Sequence, residues 1–165
     1  MPTKKNTIPL LVRQLAKKLP HFDDGRIDYR SSTRMPVVMC FLCYDNKVLL
    51  LKRSEHVAHY KGKWNAISGH LDELEPVEEK AFQEIEEEVG ITKAEIASVK
   101  KGKIYRMEDK SIGKKWMIHP LLVRLKTRPA IRLNKEHTEY LWVDQKDLTK
   151  YDHLPELEHM LKRVL

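Results

Sequence analysis

Apolar residues fall along this chain in two rhythms. Ile8, Leu11, Leu15 and Leu19 recur at helical spacing, with Arg13, Lys17 and Lys18 turned elsewhere, so one short amphipathic helix is expected near the start. Residues 37–44, VVMCFLCY, are almost unbroken apolar, as a central strand covered on both faces would be. Asp45 and Asn46 then turn the chain into residues 47–52, a hairpin signal. Past residue 76 the helical rhythm returns: Val77, Ala81, Ile85 and Val89 repeat every four positions and form a stripe that must be buried. Pro76 falls in the expected first turn, where its missing N–H costs nothing, and Gly90 suits a left-handed cap. Further strands are expected over residues 96–105, 116–125 and 140–143. A hairpin connection spans 108–115, and Pro120 marks an edge or a bulge. A last helix over residues 155–165 would turn Leu154, Leu157, Leu161 and Val164 or Leu165 inward. This alternation says α/β and no more.

Size and composition narrow the classes. A chain of 165 residues can build one domain with a real core, and 41% apolar with 33% charged residues excludes a disordered chain. No apolar run approaches the ~20 residues of a spanning helix, so no membrane partner is expected. The first twenty residues are basic but lack the apolar stretch and small-residue cleavage pattern of a secretory signal. Cys40 and Cys43 sit three apart on an expected strand and so face opposite sides; with no second Cys pair, buried free thiols are expected rather than a zinc site or disulfide. A cytoplasmic protein is the resulting expectation. The net charge of +7 favours anionic partners in general. Before residue 37, Lys4, Lys5, Arg13, Lys17, Lys18, Arg26, Arg30 and Arg34 stand against Asp23, Asp24 and Asp28, which places +5 of that charge in the N-terminal segment. Residues 1–35 are therefore read as a basic extension with a short helix, and residues 36–165 as the main domain. The extension is either a packing element or an arm for a polyanion.

One helix carries too many acids on one flank to pass without comment. Glu84, Glu87 and Glu88 are spaced i, i+3, i+4, so their side chains converge beside the buried stripe. Only Lys80, one turn earlier, can relieve them, and it can relieve one acid at most. Two readings stand at this point: a solvated acidic face, or a site for a hard divalent cation such as Mg²⁺ or Mn²⁺.

The stretch around them, GHLDELEPVEEKAFQEIEEEVGI over residues 69–91, reads G-x5-E-x7-Q-E-I-x-E-E-x-G-I, marked by Gly69, Glu75, Gln83, Glu84, Ile85, Glu87, Glu88, Gly90 and Ile91. It resembles the Nudix box, G-x5-E-x7-R-E-U-x-E-E-x-G-U with U bulky aliphatic. Six fixed Gly or Glu places, each with about 7% usage, would match by chance on the order of 10⁻⁷ per start. Gly62-x-Trp64 before the box and Glu139-x-x-Trp142-Val143 after it extend the likeness over residues 36–165. The box departs from the family twice: Gln83 replaces an Arg that pairs with acids of the box, and His70 stands where many relatives have a second Gly. Gln cannot make a bidentate ion pair, though it can still donate hydrogen bonds.

The resemblance implies a Nudix-like α/β/α sandwich with a mixed sheet and a loop–helix–loop catalytic motif. It implies hydrolysis of a nucleoside diphosphate linked to another moiety, with Mg²⁺ or Mn²⁺ as cofactor. Glu84, Glu87 and Glu88 would be ligands together with the Gly69 carbonyl, and Glu84 could also activate water. Glu75 would support the geometry by bonding Gln83. Glu139 is the candidate for the final proton abstraction, with Glu136 in reserve. Lys52, Arg53, Lys63, Trp64 and His137 are candidate substrate contacts; His119 reads as a packed, hydrogen-bonded histidine. Trp64, Tyr105, Trp116 and Trp142 are rings that could stack a base or fill the core. A homodimer is an arrangement the family allows. Three alternatives remain open. An RNA 5′-end pyrophosphohydrolase would use Lys100, Lys101, Lys103 and Arg106 as a backbone track, with sparse aromatic support. A non-catalytic nucleotide-binding or regulatory module would follow from Gln83. An isopentenyl-diphosphate isomerase would need a cysteine just after the Trp64 region, where this chain has none.

Overall fold

The computed structural model of the protein describes residues 7–165, so Lys4 and Lys5 of the basic extension lie outside the described residues. Helix α1 (Leu10–Lys18) forms where the first apolar rhythm begins, and Leu11, Val12 and Leu15 are buried. Strand β1 (Arg34–Tyr44) is buried along nearly its whole length. Asp45 and Asn46 take positive φ, 51° and 59°, and turn the chain tightly into β2 (Lys47–Arg53). Short strands β3 (Trp64–Asn65) and β4 (Ile67–His70) lead to helix α2 (Val77–Val89). Its stripe of Val77, Ala81, Ile85 and Val89 is buried, and Gly90 ends it at φ 74°. Pro76 sits one place earlier than expected, as the N-cap with extended ψ rather than inside the first turn.

The second half departs from the expected boundaries. The single strand expected over 96–105 is two, β5 (Ile96–Lys101) and β6 (Tyr105–Asp109), both antiparallel to β7 (Lys114–Leu125). Pro120 lies inside β7, which pairs with β1 on its other side, so it marks no edge. A residue in a strand turns its N–H and C=O to the same neighbour. Because Gly102 donates to the Pro120 carbonyl at 2.9 Å, the missing N–H of Pro120 faces that same partner, and there the partner strand breaks into β5 and β6. Gly102 is also packed so closely that a Cβ would stand 2.6 Å from Val164, near the C-terminus. Strand β8 (His137–Asp144) begins three residues before the expected 140–143. The last helix, α3 (Leu157–Lys162), starts late because Glu156 takes φ 66°, outside helical space. Val164 is its inward residue at the end, while Leu165 is exposed.

Among the described residues, eight strands form one mixed sheet. Its central path runs β3-β2-β1-β7-β5, with β4 also on β1, β6 on β7 and β8 on β2; β1 and β7 are parallel and the other pairs antiparallel. Two cores cover its faces. α1 and α2 close one, through Leu11, Leu15, Val77, Ala81 and Ile85 against Val38, Cys40 and Leu121. The 3₁₀ turn Gln145–Lys150 and α3 close the other, through Leu148, Leu157 and Leu161 against Phe41, Cys43 and Leu122. The expected α/β/α sandwich is the fold. Both cysteines are buried free thiols, one in each core. Among the described residues no helix is long and apolar enough to cross a membrane.

Candidate active site

The apolar stripe of α2 fixes its rotation against the sheet, and that rotation decides which acids leave water. Glu88 lies next to the stripe and is 2% exposed, Glu84 retains 13% side-chain exposure, and Glu87 faces solvent. Burial pushes the Glu84 carboxyl up to about 7; Lys80 opposes the shift, and the charges of Glu87 and Glu136 add to it. Burial raises Glu88 well above the usual carboxylate range, with Glu84 and Glu136 adding and Arg53 opposing. Glu88 Oε2 is buried and meets no hydrogen-bond partner among the described residues.

Gly69 lies opposite Val38 in the β1–β4 ladder, which brings its Cα against the end of Glu84. A Cβ at 69 would stand 2.3 Å from both Glu84 Cδ and Oε1, so only glycine permits this approach. Gln83 Nε2 donates to Glu75 Oε2 at 3.0 Å. One amide satisfies only one carboxylate oxygen, and Glu75 Oε1 is left buried without a partner. Burial and neighbouring Glu73 raise the Glu75 pKa, against the Gln83 bond.

A cleft of about 890 Å³ passes Gly69, Gln83, Glu84 and Glu87, and Arg53, Lys114, Lys135 and Glu136 also line it. Ser54 fixes the 135–136 turn, its hydroxyl donating to the Lys135 carbonyl at 2.7 Å and its N–H to the Glu136 carbonyl at 2.8 Å. Arg53 is held from the other side, its Nε donating to the His59 carbonyl at 3.0 Å. Farther along, His70 stacks on Trp116 with 9° between the rings, and its ring centroid lies 5.9 Å from that of Tyr29. Partial desolvation lowers the His70 pKa, with Lys80 and Lys114 adding and Asp72 opposing; the residue itself stays exposed, and the ring pair lines the cleft.

Of the expected residues, Glu84, Glu87, Glu88, Gly69, Gln83, Glu75 and Arg53 thus come together. Others are elsewhere. Glu139 lies on β8 opposite Lys52 and pairs with it at 3.0 Å, outside the cleft lining. Lys63 binds Asp152 at 2.7 Å, and Trp64 packs edge-on against Tyr151. Strand alternation parts Lys52 from Arg53, since neighbouring positions on β2 point to opposite faces. His137 is buried with Nδ1 unpartnered, and burial lowers its pKa to about 4. His119 is packed as expected, but its Nε2 has no hydrogen-bond partner, and burial likewise lowers it to about 4. Of the four candidate rings, Trp116 lines the cleft; Trp64 and Tyr105 pack on the α3 side and Trp142 on the α2 side. The cleft lining also excludes Cys40 and Cys43, so an isomerase reading finds no thiol there. Sequence reasoning missed the structural weight of Asp72 and Lys80, both buried polar residues. The available signal was a lysine beside the apolar stripe.

Comparison with known proteins agrees with this geometry. A model of the NUDIX domain matches residues 33–164. A nucleoside triphosphatase NudI from Escherichia coli is 27% identical over 125 residues, which cover 72% of this chain and 89% of that protein. The crystal structure of a MutT NUDIX hydrolase from Burkholderia pseudomallei superposes with a TM-score of 0.67 at 25% identity, covering 80% of this chain and 98% of that one. An Ap4A hydrolase from C. elegans shares the fold at a TM-score of 0.61 and 22% identity, over 79% and 93% of the two chains. With Glu84 and Glu87 of its box lining one cleft and a family match across four fifths of its length, the chain belongs to the Nudix family, as a hydrolase of acid anhydrides in phosphorus-containing compounds.

Proposed function

We propose that the chain cleaves a phosphoanhydride bond in a nucleoside diphosphate linked to a further moiety, using Mg²⁺ or Mn²⁺ held by Glu84, Glu87, Glu88 and the Gly69 carbonyl. The observation that carries this reading is the meeting of Gly69, Glu84 and the buried Glu88 with Glu136 beside an open cleft. The donor set fits a hard cation: all are oxygens, Glu88 Oε2 is unpartnered, and the Gly69–Glu84 approach leaves no room for a side chain. Among the described residues no three acids, histidines or cysteines stand as a formed cage. Bound there, the ion would neutralise phosphate charge and lower the pKa of water.

The chain's own residues supply the rest. Arg53, Lys114 and Lys135 bring positive charge to the cleft for phosphate oxygens. The His70–Trp116 wall offers a flat surface to a base. Glu136, which lines the cleft, takes the proton-accepting role that the family likeness suggested for Glu139. Cleavage would be tested with product-resolved assays in Mg²⁺ and Mn²⁺ on nucleoside triphosphates, ADP-ribose, NADH, dinucleoside polyphosphates and 5′-triphosphorylated RNA. The relative's name puts nucleoside triphosphates first. The expected result is metal-dependent release of phosphate, pyrophosphate or a nucleotide, reduced at least about 100-fold in Glu88→Gln. Mn²⁺ binding without turnover of any of these would overturn the hydrolase reading in favour of a nucleotide-binding module.

A further inference from the structure

We infer that Lys80 takes over the task of the cation that Gln83 lacks: it is the positioning residue for Glu84, and the N-terminal segment braces it through Asp72. This inference rests on the reading of Glu84 as a metal ligand. Lys80 is 7% exposed, a depth at which an ammonium group costs several kcal/mol unless it is paired. Its Nζ donates to Asp72 Oδ1 at 2.8 Å and lies 3.5 Å from Glu84 Oε1 and 3.8 Å from Glu73 Oε1. A lysine one turn before a glutamate is the weaker order for helix stability, so this pair gives the helix little of its own. What it does is tie Glu84, across the start of the helix, to the loop that carries Asp72.

That loop is fixed from outside the family match. The Tyr29 hydroxyl donates to the Leu71 carbonyl at 2.6 Å, the Ile27 N–H donates to the Asp72 carbonyl at 2.8 Å, and Arg26 Nη1 lies 3.7 Å from Asp72 Oδ2. Residues 26, 27 and 29 all precede residue 33, where the family match begins. Gln83 spends its amide on Glu75 instead. Charge and anchorage thus run from the N-terminal segment through Asp72 and Lys80 to Glu84.

Removing Lys80 alone would leave the buried Asp72 carboxylate only the Arg26 guanidinium, 3.7 Å away, so the test neutralises both, as Lys80→Met with Asp72→Asn. Thermal melting in EDTA reports folding, calorimetry reports Mn²⁺ affinity, and kcat and KM are measured on whichever substrate the assay above identifies. The double variant is expected to fold, to bind Mn²⁺ about 10- to 100-fold more weakly, and to lose kcat with KM little changed. Adding Gln83→Arg should then restore most of the Mn²⁺ affinity, while the same change in the parent protein shifts it less than about threefold. Parent-like Mn²⁺ affinity in the double variant, or no recovery with Gln83→Arg, overturns the inference. Should the double variant not fold, Tyr29→Phe decides, because it removes only the bracing hydroxyl. About threefold weaker Mn²⁺ binding is expected, and unchanged affinity overturns the brace. Failure of the underlying reading looks different: the parent would then bind Mn²⁺ no better than Glu88→Gln does.

Discussion

Among the described residues, a buried cluster of lysine and carboxylates and the surface pairs near β2 and β3 share chemistry but not surroundings. Lys80 with Asp72 and Glu84 is enclosed beneath the start of α2, with side-chain exposures of 8, 12 and 13%. Lys52 with Glu139 and Lys63 with Asp152 lie at the surface, where the lysines are each 38% exposed and the acids 57 and 74%. Water screens the second set, and holding two long side chains in one geometry costs entropy that offsets most of the attraction. In the first set the charges have already left water, so each depends on the others being present. A site that must hold a charge in place needs the buried kind.

The sharpest way to break this comparison is Lys80→Ala. It leaves the buried Asp72 with only the Arg26 guanidinium, 3.7 Å away, and urea unfolding should show a loss of about 3 kcal/mol. A loss below about 1 kcal/mol would place Lys80 with the surface lysines and end the distinction.

Gly69→Ala comes next and separates geometry from stability. The added Cβ overlaps the Glu84 carboxyl, which is the movable end of a side chain rather than backbone. The fold should therefore tolerate the change, with a melting temperature within a few degrees of the parent. Mn²⁺ affinity should fall by about 10- to 100-fold as Glu84 is displaced. Loss of fold and metal affinity together would show that position 69 serves packing alone.

His119 tests whether burial without a partner behaves differently from burial with one. Burial holds its pKa near 4 against an ordinary 6.5, with Arg106 and Lys101 lowering it further and Glu78 opposing. The unfolded chain therefore takes up a proton at higher pH than the folded one. Stability from the neutral ring is complete above pH 6.5 and drains away as pH falls towards 4. With the ring only part-buried, the expected acid-dependent loss is about 2 kcal/mol, and His119→Leu should remove it. Urea midpoints of both proteins at pH 7, 5.5 and 4.5 measure the difference; parallel curves would contradict the assignment.

How much of this was legible in the sequence follows from the reach of each signal. The α2 stripe and the Asp45–Asn46 turn are local, and both stand where periodicity and turn chemistry put them. The break between β5 and β6 is not local, because it depends on Pro120 being brought alongside Gly102 by the sheet. The site divides the same way. Glu84, Glu87 and Glu88 are neighbours on one helix, so their spacing alone brought them together. The choice between Glu136 and Glu139 required the β2–β8 register, which seats Glu139 opposite Lys52. The partner of Lys80 lies eight residues earlier in a loop with no repeating pattern, and no spacing rule points to it.

The smallest effect is the most discriminating for the base. Glu139→Gln and Lys63→Ala both act on exposed pairs away from the cleft, and each should cost below about 1 kcal/mol and change turnover less than about twofold. Glu136→Gln, three residues earlier, should lower turnover by about 100-fold with Mn²⁺ affinity changed far less if it is the proton acceptor proposed above rather than a ligand. If Glu139→Gln proved the costly change, its pair with Lys52 would have to open during turnover. The surface set would then carry function after all, and burial alone would no longer separate the two kinds of lysine pair.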